Sequence, residues 1–163
     1  MKEVKTNVLR ILDQKKIPYT PHFYESEGPE HTREYGVHVA QALGQDPRRG
    51  FKTLAAQGAS KGVYVFCIPV AEALDLKKAA KAVGEKSVDL LPVAELTAVT
   101  GYVRGGCSPI GMKKQYPTVF HATVLDFETV CVSGGKIGVQ VELPPNELLR
   151  LLRGSTADLI VEE

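Results

Sequence analysis

The order of strand-forming and helix-forming runs constrains the fold of this chain more than any other feature. Residues 2–16 place Val4, Val8, Ile11 and Leu12 on one helical face with lysines opposite, and Ile17-Pro18 stops that helix. A short strand at Tyr19–Tyr24, a polar loop at Glu25–Pro29 and a helix at Thr32–Leu43 capped by Gly44 follow. Two β-rich runs, Phe51–Ala56 and Val63–Pro69, flank turn chemistry at Gly58–Gly62 and predict a hairpin. Next come a helix at Asp75–Val83 ended by Gly84, a short strand at Val88–Leu91, and a helix at Pro92–Thr100 with Gly101 after it. Residues 101–111 form a loop dense in Gly and Pro. Thr118–Asp126, Thr129–Val132 and Ile137–Leu143 read as three antiparallel strands, with Ser133-Gly134-Gly135-Lys136 as the turn between the last two. Pro144-Pro145-Asn146 opens a final helix to about Arg153, and Asp158–Val161 is a last strand. Strand runs and helices do not alternate regularly, which predicts an α+β fold rather than a doubly wound sheet.

With 163 residues and no linker, repeat or low-complexity tract, the expectation is one domain spanning residues 1–163. A net charge of +1 says little about partners, so the placement of charge matters more. Most basic residues fall between Arg48 and Lys114, and the end from Asp158 to Glu163 is acidic. Cys67, Cys107 and Cys131 are an odd, widely spaced set, which argues against a disulfide framework and fits a reducing compartment. His22, His31, His38 and His121 lack zinc-ligand spacing to any cysteine, so no metal and no cofactor is expected. Met1–Lys5 is polar and carries no apolar signal core, and no run reaches the roughly 18 apolar residues of a membrane span. Cytoplasm without membrane attachment is the expected location.

Three features could carry chemistry. Lys52 interrupts the apolar strand start Phe51-Lys52-Thr53-Leu54; it either reaches solvent along its aliphatic stem or points into a pocket, where it would attract an anion. The loop Gly101-Tyr102-Val103-Arg104-Gly105-Gly106-Cys107-Ser108-Pro109-Ile110-Gly111 can bring backbone N–H groups close to a phosphate or an oxyanion. It is neither a Walker motif nor a dinucleotide fingerprint, and a plain structural loop is the competing reading. Arg48, Arg49, Lys61, Lys77, Lys78, Lys81, Arg104, Lys113, Lys114 and Lys136 either scatter over a solvated surface or converge to track phosphates. Cys107 would serve as a nucleophile only beside a base or with a depressed pKa. Asp126 with Glu128, and Glu25 with Glu27, sit where polar connections are expected, and no Ser-His-Asp signature is present.

Phe-Lys-Thr-Leu at 51–54, Leu-Lys-Lys-Ala-Ala-Lys at 76–81, Thr-Gly-Tyr-Val-Arg-Gly-Gly-Cys-Ser-Pro-Ile-Gly-Met-Lys-Lys at 100–114 and Val-Ser-Gly-Gly-Lys-Ile-Gly at 132–138 together resemble the YbaK family. These are bacterial Cys-tRNA(Pro) deacylases, related to the editing domain inserted in bacterial prolyl-tRNA synthetases. The resemblance implies a mixed, mostly antiparallel barrel-like sheet with helices packed outside. It implies Lys52, Gly105 and Gly106 as the catalytic set, and Tyr24, Ser108, Pro109, Ser133 and Gln140 around the substrate. With tRNA as the ligand, the basic residues expected to track its phosphates are Arg48, Arg49, Lys77, Lys78, Lys81, Arg104, Lys113, Lys114 and Lys136. Some relatives carry Asp where this chain has Gln140, so a hydrogen-bonding role is what survives there. The implied partners are mischarged tRNA(Pro), with tRNA(Cys) as a second acceptor, and prolyl-tRNA synthetase. In that family the substrate's own thiol is thought to attack its ester, which would account for the missing triad and demote Cys107. A deacylase for another mischarged species such as Ala-tRNA(Pro), a non-catalytic tRNA-binding module and a Cys107-dependent enzyme are the alternatives.

Overall fold

The computed structural model describes residues 5–25 and 35–162. Helix α1 spans Asn7–Gln14, and the Thr6 hydroxyl accepts the Leu9 N–H at 3.3 Å as its N-cap. Val8, Leu9 and Leu12 form its buried stripe. The expected residues 2–4 of this helix lie outside the described residues. So do residues 26–29 of the expected polar loop, with Glu27, and 32–34 of the next helix; His31 does as well.

Strand β1 is Thr20–Phe23, α2 is Tyr35–Ala42, and a 3₁₀ turn at Pro47–Arg49 leads into the hairpin β2 Phe51–Gly58 and β3 Val63–Pro69. Helix α3 (Leu76–Val83) starts on an Asp75 cap and ends on Gly84 at φ +73°, as a left-handed C-cap favours. Strand β4 (Val88–Leu90), α4 (Val93–Thr100) and β5 (Thr118–His121) follow. The chain closes with β6 Val130–Lys136, β7 Val139–Leu143, α5 Pro145–Leu152 and β8 Ser155–Ala157.

The α+β class holds, with two sheets rather than one closed barrel. One sheet has the order β1-β7-β6; the other is β4-β2-β3-β5-β8. The β2–β3, β2–β4, β1–β7 and β6–β7 pairs are antiparallel, while β5 joins β3 and β8 in parallel. A single parallel bridge from Gly50 to Cys131 brings the two sheets together at the start of β2. Alternation along β3 feeds two cores. Val65 and Cys67 enter the cluster under α1 and α5, while Phe66 and Ile68 enter the cluster under α3 with Ala79, Ala80 and Leu159. A strand covered on both faces needs its near-continuous apolar sequence.

Four expectations are corrected. The strand expected at Thr118–Asp126 ends at His121, and Ala122–Asp126 is a 3₁₀ turn. Val124 is buried there while Leu125 is 52% exposed, which serves the core once per turn rather than at every second residue. β5 also lies in the other sheet from β6 and β7, so the three expected antiparallel strands are not one unit. The turn expected at Ser133–Lys136 is part of β6. Gly134 and Gly135 are looped out between the Ser133–Gln140 and Lys136–Val139 pairs, and the turn falls at Ile137-Gly138, with Gly138 at φ +98°. Helix α1 lies against this bulge, where the Thr6 hydroxyl donates to the Gly134 carbonyl at 2.7 Å. Finally, the last strand is Ser155–Ala157; Asp158–Val161 instead bonds the loop before α3 through the Leu74–Ile160 bridge.

Candidate functional site

A cavity of about 200 Å³ opens at the seam where Gly50 meets Cys131. The start of β2 supplies Phe51, Lys52, Thr53 and Leu54; β6 supplies Cys131, Val132 and Ser133; β7 supplies Val139 and Gln140. Helix α2 closes one side with Tyr35, Gly36, Val39 and Ala40, and the glycine loop closes another with Arg104, Gly105 and Cys107. Gly36 lets α2 approach the residue after β3 closely, because a Cβ there would lie 2.6 Å from the Val70 side chain. Five segments distant in sequence thus meet where neither sheet covers the other.

Lys52 is half-buried in this wall. Gln140, 8% exposed, sits in the central strand of its sheet, paired with His22 on one side and Ser133 on the other. Its side-chain oxygen accepts from Gln45 Nε2 at 2.8 Å. The Ser133 hydroxyl accepts the Gly135 N–H at 3.1 Å. The Tyr24 and Tyr35 hydroxyls are 3.3 Å apart, and burial with that contact pushes the Tyr24 phenol well above its ordinary value. Tyr24 is tied to the β6–β7 turn by its N–H, which donates to the Gly138 carbonyl at 3.0 Å.

The glycine loop is shaped from within. Gly105 adopts φ +89°. Gly106 passes so close to the β6–β7 turn that a Cβ would lie 3.0 Å from the Ile137 nitrogen and 3.3 Å from Lys136 backbone atoms. The Gly106 N–H is already committed to the Val103 carbonyl at 3.0 Å. Among the described residues no acceptor meets the N–H of the cavity-lining Arg104, Gly105 or Cys107, which leaves these donors available. Ser108 is fully buried and its hydroxyl accepts the Ile110 N–H at 3.2 Å; it and the buried Pro109 hold the loop rather than line the cavity.

The cysteines are poor nucleophiles. Burial pushes the Cys107 thiol up to about 11 despite a Thr100 hydrogen bond, and the Cys131 thiol up to about 12. Cys67 is fully buried against Thr53, at 3.7 Å, and shifts the same way.

The basic residues divide. Arg104 lines the cavity and exposed Lys136 lies beside Gly106. Lys77, Lys81 and Lys114 are exposed, and Arg48 is exposed while paired with Asp46 at 2.7 Å. Lys113 donates to the Ala98 carbonyl at 3.1 Å. Two of the expected tRNA contacts are engaged in ion pairs within the chain. Lys78 bonds Asp158 at 2.9 Å and the Ile160 carbonyl at 2.8 Å, fastening the C-terminal segment to α3. Arg49 bonds Glu142 at 2.6 Å and the Thr129 carbonyl at 3.0 Å. Thr129 and His22 also donate to Glu142, and Thr129, His22 and Arg49 together hold its carboxyl down at about 2. Sequence reading missed Tyr35, Gln45 and Glu142. Gln45 finds its partner 95 residues away, and two of the Glu142 partners, Arg49 and His22, lie 93 and 120 residues away, so no local pattern announces them.

Residues 30–151 match the family model for the aminoacyl-tRNA editing domain. EbsC of Enterococcus faecalis (strain ATCC 700802 / V583), named as a candidate Cys-tRNA(Pro)/Cys-tRNA(Cys) deacylase, is 43% identical over 159 residues, covering 98% of this chain and 95% of its own. A solved structure from work on epitope backbone grafting onto scaffold proteins is 28% identical with a TM-score of 0.79, over 96% of both chains. A candidate trans-editing enzyme for prolyl tRNA synthetase shares the fold at a TM-score of 0.79 and 24% identity, over 98% of this chain and 100% of its own.

Proposed function

Because this chain belongs to the aminoacyl-tRNA editing-domain family, we propose that it is a trans-acting deacylase that removes cysteine from mischarged Cys-tRNA(Pro), with Cys-tRNA(Cys) as a further substrate. One observation carries this reading: the seam cavity gathers a lysine, an amide and backbone donors, yet its own thiols are pushed far above neutral pH. Such a site can orient an ester and stabilise an oxyanion, but it has no thiolate to offer at pH 7. As the family resemblance implies, the nucleophile in this reading is the substrate's own thiol, with water as the competing nucleophile. The cysteine Sγ attacks its own ester carbonyl, a C–S bond forms and the C–O bond to the ribose breaks. The thiol proton ends on the ribose oxygen, and a thiolactone and free tRNA leave.

Lys52 holds the aminoacyl end electrostatically, and the Gly105 N–H polarises the ester carbonyl. Tyr24 and Ser133 shape the side-chain space, while Arg104 and Lys136 attract the tRNA backbone at the rim. A volume of about 200 Å³ suits the aminoacyl end rather than a whole nucleotide. Cysteine and proline are similar in size, and a difference that small supplies discrimination of only about 1–3 kcal/mol, so a second sieve is needed. Prolyl-tRNA synthetase, as the source of the mischarged tRNA, is the proposed partner and the cytoplasm the proposed place. Among the described residues no helix is long and apolar enough to cross a membrane.

The test is deacylation of Cys-tRNA(Pro), Ala-tRNA(Pro) and Pro-tRNA(Pro) by wild type and Lys52→Ala. Cysteine-selective release, lost in the variant, is expected. Equal release of alanine would exclude the substrate-thiol route, since alanine has no thiol. Binding without any turnover would leave a tRNA-binding module.

A further inference from the structure

The Gln140 side chain is held at one end only. Its carboxamide oxygen accepts from Gln45 Nε2 at 2.8 Å, and its nitrogen has no protein partner among the described residues. The residue is nine-tenths buried, and the space beside it is the cavity. Among the described residues Thr123 Oγ1 is the one sealed side-chain polar atom without a partner, so the Gln140 nitrogen is no buried orphan; it borders the cavity, where its donors can meet a ligand. Its backbone is fixed in the central strand between His22 and Ser133, so only the side-chain torsions remain to be set.

Gln45 is itself immobilised. It follows α2 through a left-handed turn, with Gly44 at φ +68°, and its N–H donates to the Ala40 carbonyl at 2.8 Å. Ala40 is part of the cavity wall. One helix end therefore walls the cavity and also sets the orientation of an amide on the opposite sheet. A rotation of Gln140 alone would place N–H against N–H, so the Gln45 donor selects which end faces the ligand.

We propose that Gln45 is a positioning residue that fixes the Gln140 amide with its NH₂ toward the cavity, where Gln140 acts as a catalytic donor to the ester carbonyl oxygen. This rests on the deacylase reading above. A neutral donor that strengthens its bond as the carbonyl oxygen becomes negative acts on kcat more than on KM. It adds a side-chain donor to those of the loop, whose Gly106 N–H is spent on the Val103 carbonyl.

The experiment compares Gln45→Glu with Gln45→Lys in single-turnover and steady-state deacylation of Cys-tRNA(Pro). Ionised Glu can only accept, so it draws the Gln140 NH₂ away from the cavity; Lys can only donate and keeps the oxygen held. The expected result is a fall in kcat of roughly tenfold to a hundredfold for Gln45→Glu with KM little changed. Gln45→Lys should recover most of that loss. Gln45→Glu should also regain activity relative to wild type as pH falls and its carboxyl protonates. Equal losses in both variants would reduce Gln45 to a structural anchor, and a loss confined to Gln45→Lys would mean both amides are reversed; either overturns the proposal. Wild-type turnover with both variants unaffected sinks it and leaves the deacylase reading standing, whereas no wild-type turnover removes that reading first.

Discussion

His121 Nδ1 accepts the backbone N–H of Leu159 at 3.1 Å, and both residues are buried. The bond requires a neutral imidazole with its proton on Nε2. It ties the end of β5 to the segment that Lys78 and the Leu74–Ile160 bridge also hold. Burial holds the imidazole below its ordinary 6.5, with Lys78 acting in the same direction, while Asp158, Glu72 and Asp126 oppose it.

A histidine whose folded pKa is lowered binds fewer protons folded than unfolded, so stability grows with pH across that window. The contribution is fully present above about 6.5 and is lost as pH falls below 6.5 toward the folded value. Denaturant melts at stepped pH should show this slope, and His121→Leu should flatten it. That variant also orphans the Leu159 N–H, at a cost of about 1–3 kcal/mol. An unchanged slope would show that another group sets it.

Glu142 behaves in the opposite sense. Hydrogen bonds from Thr129, His22 and Arg49 lower its carboxyl from 4.5 to about 2, so its contribution is complete above pH 4.5 and disappears as pH falls toward 2. Glu142→Gln should cost about 1.5–3 kcal/mol at pH 7, the range for hydrogen bonds to a charged group. The loss should shrink as pH falls below 4.5. Urea denaturation of both proteins at pH 7 and pH 3 reads the difference.

Cys107→Ala should keep deacylation within about threefold of wild type, because a thiol pushed up to about 11 is almost wholly protonated at pH 7. Alkylation of the folded protein should be correspondingly slow. A hundredfold loss of turnover in the alanine variant, with melting unchanged, would restore the cysteine-nucleophile reading.

Gly106→Ala forces a methyl to 3.0 Å from the Ile137 nitrogen, which is backbone and cannot swing away. The loop must move off the β6–β7 turn, at a cost of about 1–3 kcal/mol. Deacylation should fall further than the melting temperature suggests, since the same shift displaces Gly105. Activity and thermal melts on one preparation separate the two effects.

Much of the fold was legible because short-range physics wrote it. The α1 stripe of Val8 and Leu12, the β2–β3 hairpin and the Gly84 and Gly101 caps each follow from period or backbone freedom within a few residues. The misreadings came where one apolar run suited two conformations, as at Thr118–Asp126, or where adjacent glycines could make either a turn or a bulge, as at Gly134-Gly135.

For the candidate site, sequence by itself determined the chemical types present: a lysine interrupting a strand, a glycine-dense loop, and no triad. Only the tertiary structure decided which of them meet. It put Lys52, Arg104, Ser133 and Gln140 around one cavity, bound Arg49 and Lys78 into ion pairs with Glu142 and Asp158, and set Gln45 against Gln140. The reason is range: strand and helix periods act over a few residues, whereas the cavity forms where two sheets touch at the bridge between Gly50 and Cys131, 81 residues apart.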